Sequence, residues 1–172
     1  DKPFDERTLR VFSVGKMFEE WLIGKIGEKV KNKTQVRVEN KELGLTGYAD
    51  LVIQEPKIVY EIKSKHSKSF WYMENEGSPP KQNKMQLWAY LKTLGIEDGR
   101  LIFLSRDDLS VAEYQVKLSD EDLGKEVREE LELLNRAWKE KLPPQPPTDP
   151  KDWRVKCCRF HKQCINQPNY LK

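Results

Sequence analysis

The sequence predicts an α/β domain, a central mixed β-sheet flanked by helices. Three observations predict it. Apolar residues recur at three- and four-residue steps in three separate stretches, the mark of amphipathic helices. Between those stretches lie five apolar runs of strand length, some alternating and some continuous. The two kinds interleave in the order α-β-β-β-α-β-β-α, which packs as a sheet with helices on its faces. A chain of 172 residues is long enough for one such domain with a sizeable core.

Residues 6–31 are expected to be helical, with Leu9, Phe12, Phe18, Leu22, Ile26 and Val30 forming one apolar stripe. TQVRVEN, 34–40, alternates and reads as a strand. Two further strands, 46–54 and 57–64, fold over a turn at Glu55-Pro56. Residues 65–80, KHSKSFWYMENEGSPP, are polar and aromatic and read as a loop of the size that borders an active site. The helical pattern returns at PKQNKMQLWAYLKTLG and closes at Gly95. Strands are expected at 100–106 and 110–118. SDEDLGKEVREELELLNRAWKEKL then begins at a Ser or Asp cap and continues as an amphipathic helix. Five of the ten prolines fall in 143–150, a stiff, extended linker. It separates a domain of residues 1–142 from a cysteine-containing tail, 151–172.

Charged residues make up 34% of the chain and the net charge is +3. This mild basic excess fits a nucleic-acid partner without requiring one. No apolar run is long enough to span a bilayer and no signal-peptide pattern is present, so no membrane is expected and the location is read as cytoplasmic, in a bacterial or phage-infected cell. The cysteines, Cys157, Cys158 and Cys164, are odd in number and clustered. That argues against a secreted disulfide framework and raises the question of metal.

The second and third strands carry acids where apolar residues are expected. Glu61 and Lys63 are two residues apart and share a face, while Ile62 points the other way. With the turn centred between Glu55 and Pro56, Asp50 lies directly opposite Glu61, and paired β-carbons sit roughly 4.5–5.5 Å apart. Carboxylates that close need a proton, a cation or a metal between them. Lys63 alone is one answer and makes a salt-bridged hairpin. A hard ion such as Mg²⁺, completed by water and phosphate, is the other.

Four short motifs favour the second answer. Gly15-Lys16-Met17-Phe18-Glu19 lies on the first helix, and Gly47-Tyr48-Ala49-Asp50 on the second strand. Glu61-Ile62-Lys63 lies on the third strand, and Gln86-Leu87-Trp88-Ala89-Tyr90 on the following helix. In this order they resemble the PD-(D/E)XK nuclease superfamily over roughly residues 10–106. The branch is the one that holds the RecB nuclease domain, phage lambda exonuclease and the CRISPR-adaptation nucleases. The resemblance implies a restriction-endonuclease-like core. It implies that Asp50, Glu61 and the backbone carbonyl of Ile62 bind Mg²⁺ or Mn²⁺, with Glu19 as a further ligand, direct or through water. It implies that Lys63 orients or activates the attacking water. Gln86 and Tyr90 would then hold substrate phosphate or the lysine. Glu20, four residues after Lys16, reads as a solvent ion pair.

The implied activity is a metal-dependent DNase, an exonuclease of recombination, repair or phage DNA processing. A structure-specific or restriction-like endonuclease is the alternative, and a catalytically inactive DNA-binding module is the alternative of another class. Lys65, Lys81 and Lys84, with His66 and Lys68 nearby, are candidates for phosphate contact. Phe70, Trp71 and Tyr72 either stack on bases of single-stranded ends or pack the loop onto the domain. In the tail, Cys158 and Cys164 reproduce part of the C-x2-C-x5-C pattern that holds an iron–sulfur cluster in some members of the branch. Val155 stands where another cysteine is expected, and Cys157 is the available substitute. A zinc site completed by His161 and a set of free thiols are the other readings.

Overall fold

A computed structural model describes residues 4–141. The order is α1 (Glu6–Gly27), β1 (Asn32–Asn40), β2 (Leu45–Gln54), β3 (Lys57–Lys65), α2 (Ser67–Glu76), α3 (Lys81–Leu94), β4 (Asp98–Ser105), β5 (Val111–Lys117) and α4 (Glu121–Glu140). The five strands form one sheet in sequential order. β3 and β4 are parallel and the other pairs antiparallel. A parallel pair needs a crossover, and α2 with α3 provides it. The expected α/β architecture with a mixed sheet is therefore present.

The expected loop at 65–80 is instead mostly helix. His66 caps α2 through Nδ1, which accepts from the Lys68 N–H at 3.2 Å. Gly77 ends it in the left-handed conformation at φ 63°. Phe70 and Met73, three residues apart, are its buried positions. A ten-residue helix with only two buried side chains leaves so thin an apolar stripe that polar and aromatic neighbours mask it.

Helices cover both faces of the sheet. α3 packs on β1, β3, β4 and β5, and α1 on β2 and β3. The larger core lies on the α3 side. It joins Phe70 and Met73 of α2, Leu87 to Leu91 of α3, and Leu123 and Val127 of α4 to Val38, Val59, Leu101 and Phe103 of the sheet. Leu51, Ile53, Ile62, Ile102 and Leu104 are buried outside that cluster. Ile62 places this second set on the α1 side, because it lines a cleft with Gly15 and Glu19. At about 25 cal/mol per Å² of apolar surface, burial on both faces is what fixes the strand register.

α1 sits differently from its expected stripe. None of its residues is fully buried. Gly15, Phe18, Glu19, Leu22, Ile23 and Ile26 are half-buried, whereas Leu9, Phe12 and Val30 are exposed. Phe12 and Phe18 are six residues apart, well over one and a half turns, so they cannot share a face. The stripe that packs runs through Glu19, which carries an acid onto the sheet.

The chain divides into two compact units, Asp1–Leu131 and Glu132–Lys172, so the division falls within α4. The proline linker and the tail, with Cys157, Cys158, His161 and Cys164, lie outside the described residues. No helix among the described residues is long and apolar enough to cross a membrane.

Candidate metal centre

β2 and β3 pair from Gln54↔Lys57 up to Leu51↔Tyr60. This is the register that sets Asp50 against Glu61, but the ladder stops one step short of them. Beyond it the Ile62 N–H donates not to a β2 carbonyl but to Asp50 Oδ2, at 2.7 Å. The side chain thus takes over a strand hydrogen bond at the fork where the two strands part. Asp50 is 7% exposed and Glu61 1%.

Glu61 belongs to the face covered by α3. Its Oε1 accepts from Lys63 Nζ at 2.5 Å and from Gln86 Nε2 at 2.8 Å. Gln86 also donates to Tyr90 Oη at 3.1 Å, so the i, i+4 pair on α3 acts as one unit on Glu61. Gln86 therefore reaches the acid and not the lysine. The other oxygen, Oε2, is buried with no hydrogen-bond partner. Glu19 approaches from α1. Its Oε1 accepts from Gln35 Nε2 at 2.8 Å, and its carboxyl lies close enough to Asp50 to share a proton.

The electrostatics follow from this crowding. Burial, then the Asp50 charge, pushes Glu61 up to about 7 against the pull of Lys63. Asp50 is raised by burial, although the Ile62 N–H and Lys63 oppose the rise. Glu19 is raised by burial and then by Asp50. For Lys63, burial disfavours the ammonium, but Glu61, Asp50 and Glu19 together raise it. The site holds more negative charge than its single lysine balances.

Gly47 explains its own place in the motif. A β-carbon there would collide with the Tyr90 hydroxyl. Gly47→Ala is expected to drive Tyr90 off Gln86 and to cost about 1–3 kcal/mol of stability, as overpacking does. Urea unfolding of the variant checks it. At Gly15 a β-carbon would make only an ordinary contact, 3.6 Å from Ser64 Oγ.

A cleft of about 900 Å³ opens between α1 and the sheet. Its walls include Glu19, Gln35, Ile62 and Lys63, with Lys16 and Arg106 as further cations. Sequence reasoning missed Gln35, Lys16 as a cleft residue, and Arg106. None of the three stands at a diagnostic spacing, and Gln35 looks like any polar residue of an alternating strand. Glu20 pairs with Lys16 at 3.7 Å, as its spacing predicts.

Lys65, Lys81 and Lys84 are engaged elsewhere. Lys65 lies over the Phe103 ring, 5.4 Å from its centre, and burial lowers its ammonium pKa. Lys81 pairs with Glu126 at 3.0 Å, and Lys84 donates to Ser78 Oγ at 3.4 Å. Of the aromatic trio, Phe70 is buried, while Trp71 and Tyr72 are exposed in edge-to-face contact.

No protein-family model matches the chain, and no curated protein is detectably similar in sequence. Solved structures do match. LHK-Exo, an alkaline exonuclease from Laribacter hongkongensis, superposes in its dAMP complex with a TM-score of 0.63 at 14% identity, over 82% of this chain and 72% of that one. The chain has an exonuclease-type fold. A phage-related exonuclease from Haemophilus somnus 129PT gives a TM-score of 0.55 at 14% identity, over 76% of this chain and 71% of that one. The protein SSO0001 gives 0.58 at 23% identity, over 92% of this chain and 71% of that one. Each of these matches extends over more than two thirds of both chains.

Whether the residues fit a divalent ion is a question for their own chemistry. The donors are hard oxygens, as Mg²⁺ and Mn²⁺ prefer, and the buried, unpartnered Oε2 of Glu61 calls for a cation. Among the described residues, no three acid, histidine or cysteine side chains converge tightly enough to form a complete cage. A partial set suits Mg²⁺, which binds through one or two carboxylates and keeps waters or takes substrate phosphates. The residues fit.

Proposed function

We propose that the chain is a divalent-metal-dependent nuclease of the PD-(D/E)XK superfamily. It hydrolyses phosphodiester bonds in DNA, acting as an exonuclease in recombination, repair or phage DNA processing. The observation that carries this reading is Glu61. One of its oxygens is saturated by Lys63 and Gln86, and the other is buried and bare beside a second acid. A purely structural salt bridge seldom leaves such an atom, because an unpaired buried polar group is costly. The exonucleases among the matching structures support the choice of DNA as substrate.

In this reading Asp50, Glu61 and the Ile62 carbonyl hold Mg²⁺ or Mn²⁺, and Glu19 completes the set from α1. When bound, the ion neutralises charge building on the phosphoryl oxygens and acidifies a water. Lys63 orients the attacking water from the cleft wall and stabilises the developing negative charge. Gln86 and Tyr90 fix the rotamer of Glu61, so that its free oxygen faces the site. Lys16 and Arg106 hold the phosphate backbone within the cleft. Lys65, Lys81 and Lys84 are outer contacts, and Lys81 must release Glu126 to make one. Such contacts position DNA without reading its sequence.

The test is incubation of linear and covalently closed circular DNA with the protein in Mg²⁺, Mn²⁺ or chelator. Degradation of linear DNA alone, abolished by chelator, is the expected result. Cutting of circles identifies an endonuclease. Binding without cleavage in both metals identifies a DNA-binding module and refutes the enzyme.

A further inference from the structure

Gln35 is the one residue within a strand, among the described residues, that has a left-handed backbone, at φ 49°. Such a conformation costs a non-glycine residue about 1–2 kcal/mol. It occurs at a defined point. β1 pairs with β2 through Thr34↔Leu51 and Val36↔Ala49, so Gln35 stands opposite Asp50.

The β1–β2 ribbon changes sides there. Val38 and Ala49 belong to the core under α3, with Val36 packed against it, yet Leu51, two residues after Ala49, is buried outside that core. In an undistorted strand, residues two apart share a face. The same point is where β2 leaves β3 and the Asp50 carboxylate takes the Ile62 N–H. The side chain of Gln35 then reaches the acids, donating from Nε2 to Glu19 Oε1 at 2.8 Å.

We propose that Gln35 is a positioning residue for the metal centre. Its strained backbone opens the fork between β2 and β3, and its amide holds one oxygen of Glu19 so that the other is presented beside Asp50. The proposal rests on the metal-site reading given above. Glu19 comes from a half-buried helix face, and beside the contact with Asp50 the Gln35 amide is what holds its carboxylate, so without the amide that carboxylate can turn along the cleft. Removing a side chain that orients a metal ligand typically weakens metal binding about 10–100-fold.

The two contributions are separable. Glycine at this position keeps the left-handed backbone at no steric cost but lacks the amide, while alanine keeps the strain and lacks the amide. Mn²⁺ binding to wild type, Gln35→Gly, Gln35→Ala, Glu19→Ala and the Gln35→Gly/Glu19→Ala double variant is measured by electron paramagnetic resonance of free Mn²⁺, with no DNA present. Urea unfolding of each variant is run alongside. Gln35→Gly is expected to unfold at higher urea than Gln35→Ala, yet to lose at least about tenfold in Mn²⁺ affinity. The double variant is expected to lose less than the sum of the two single losses, because the amide acts largely through that carboxylate. Wild-type affinity in Gln35→Gly, or losses that add in the double variant, overturns the role of Gln35 while leaving the metal site standing. Absence of Mn²⁺ binding by wild type overturns the metal-site reading and this proposal with it.

Discussion

Lys63→Ala and Asp50→Asn are each expected to slow hydrolysis of linear DNA by at least about 10²–10³-fold, the loss typical of removing one group aimed at developing charge. DNA binding is expected to fall far less, since phosphate contacts spread along the cleft carry it. The two variants fail for different reasons. Lys63 is the cation nearest the buried acids, bonded to Glu61 Oε1. Its loss removes the group that faces the cleft and leaves Glu61 to take up a proton instead of bearing an uncompensated charge. Asn at position 50 keeps an oxygen to accept from the Ile62 N–H, so the fork keeps its shape, but the negative charge offered to the ion is gone. Single-turnover cleavage with an electrophoretic binding assay on the same preparations checks both. Rates within a few-fold of wild type in the two variants would remove the catalytic assignment.

The metal-free protein is expected to lose stability as the pH rises from about 5 to 8. Glu61 is raised from 4.5 to about 7 in the folded state, mainly by burial. A carboxyl raised on folding binds its proton more tightly in the native protein than in the unfolded chain. Its contribution is fully present below pH 4.5 and is lost as the pH climbs through 7. That shift corresponds to at most about 3 kcal/mol, or a fall of roughly 5–10 °C in melting temperature for a domain of this size. Asp50 and Glu19, also raised, act in the same direction. Mg²⁺ or Mn²⁺ is expected to restore the loss at pH 8 and to do little at pH 5, where protons occupy the acids. Glu61→Gln is expected to flatten the pH dependence and remove the metal effect. Thermal melts at four pH values, with chelator and with Mn²⁺, provide the measurement. A melting temperature that rises from pH 5 to 8 without metal contradicts the charge balance described for the site.

Much of this centre is legible in the sequence, because strand periodicity is strict. Two acids and a lysine that interrupt an apolar hairpin at fixed spacing must meet in space. The i, i+4 spacing of Gln86 and Tyr90 likewise sets them on one helix face. Other parts are not legible. α2 has too few apolar positions to announce itself. The stripe of α1 is selected by what the sheet offers it, so Glu19 faces inward while Leu9 and Phe12 do not. The roles of Lys81 and Lys84 turn on neighbours, Glu126 and Ser78, that no spacing reveals.

The sequence by itself determined the order of the elements apart from α2, and the acid-lysine set on one face of the hairpin, because these follow from local periodicity. Only the tertiary structure decided which oxygen of Glu61 is left bare, where β2 parts from β3, and that Gln35 adopts a left-handed backbone to reach Glu19. Those features arise when α1 and α3 close on opposite faces of one sheet. Burial then raises the cost of every unpaired charge, and partners distant along the chain settle which groups are paired.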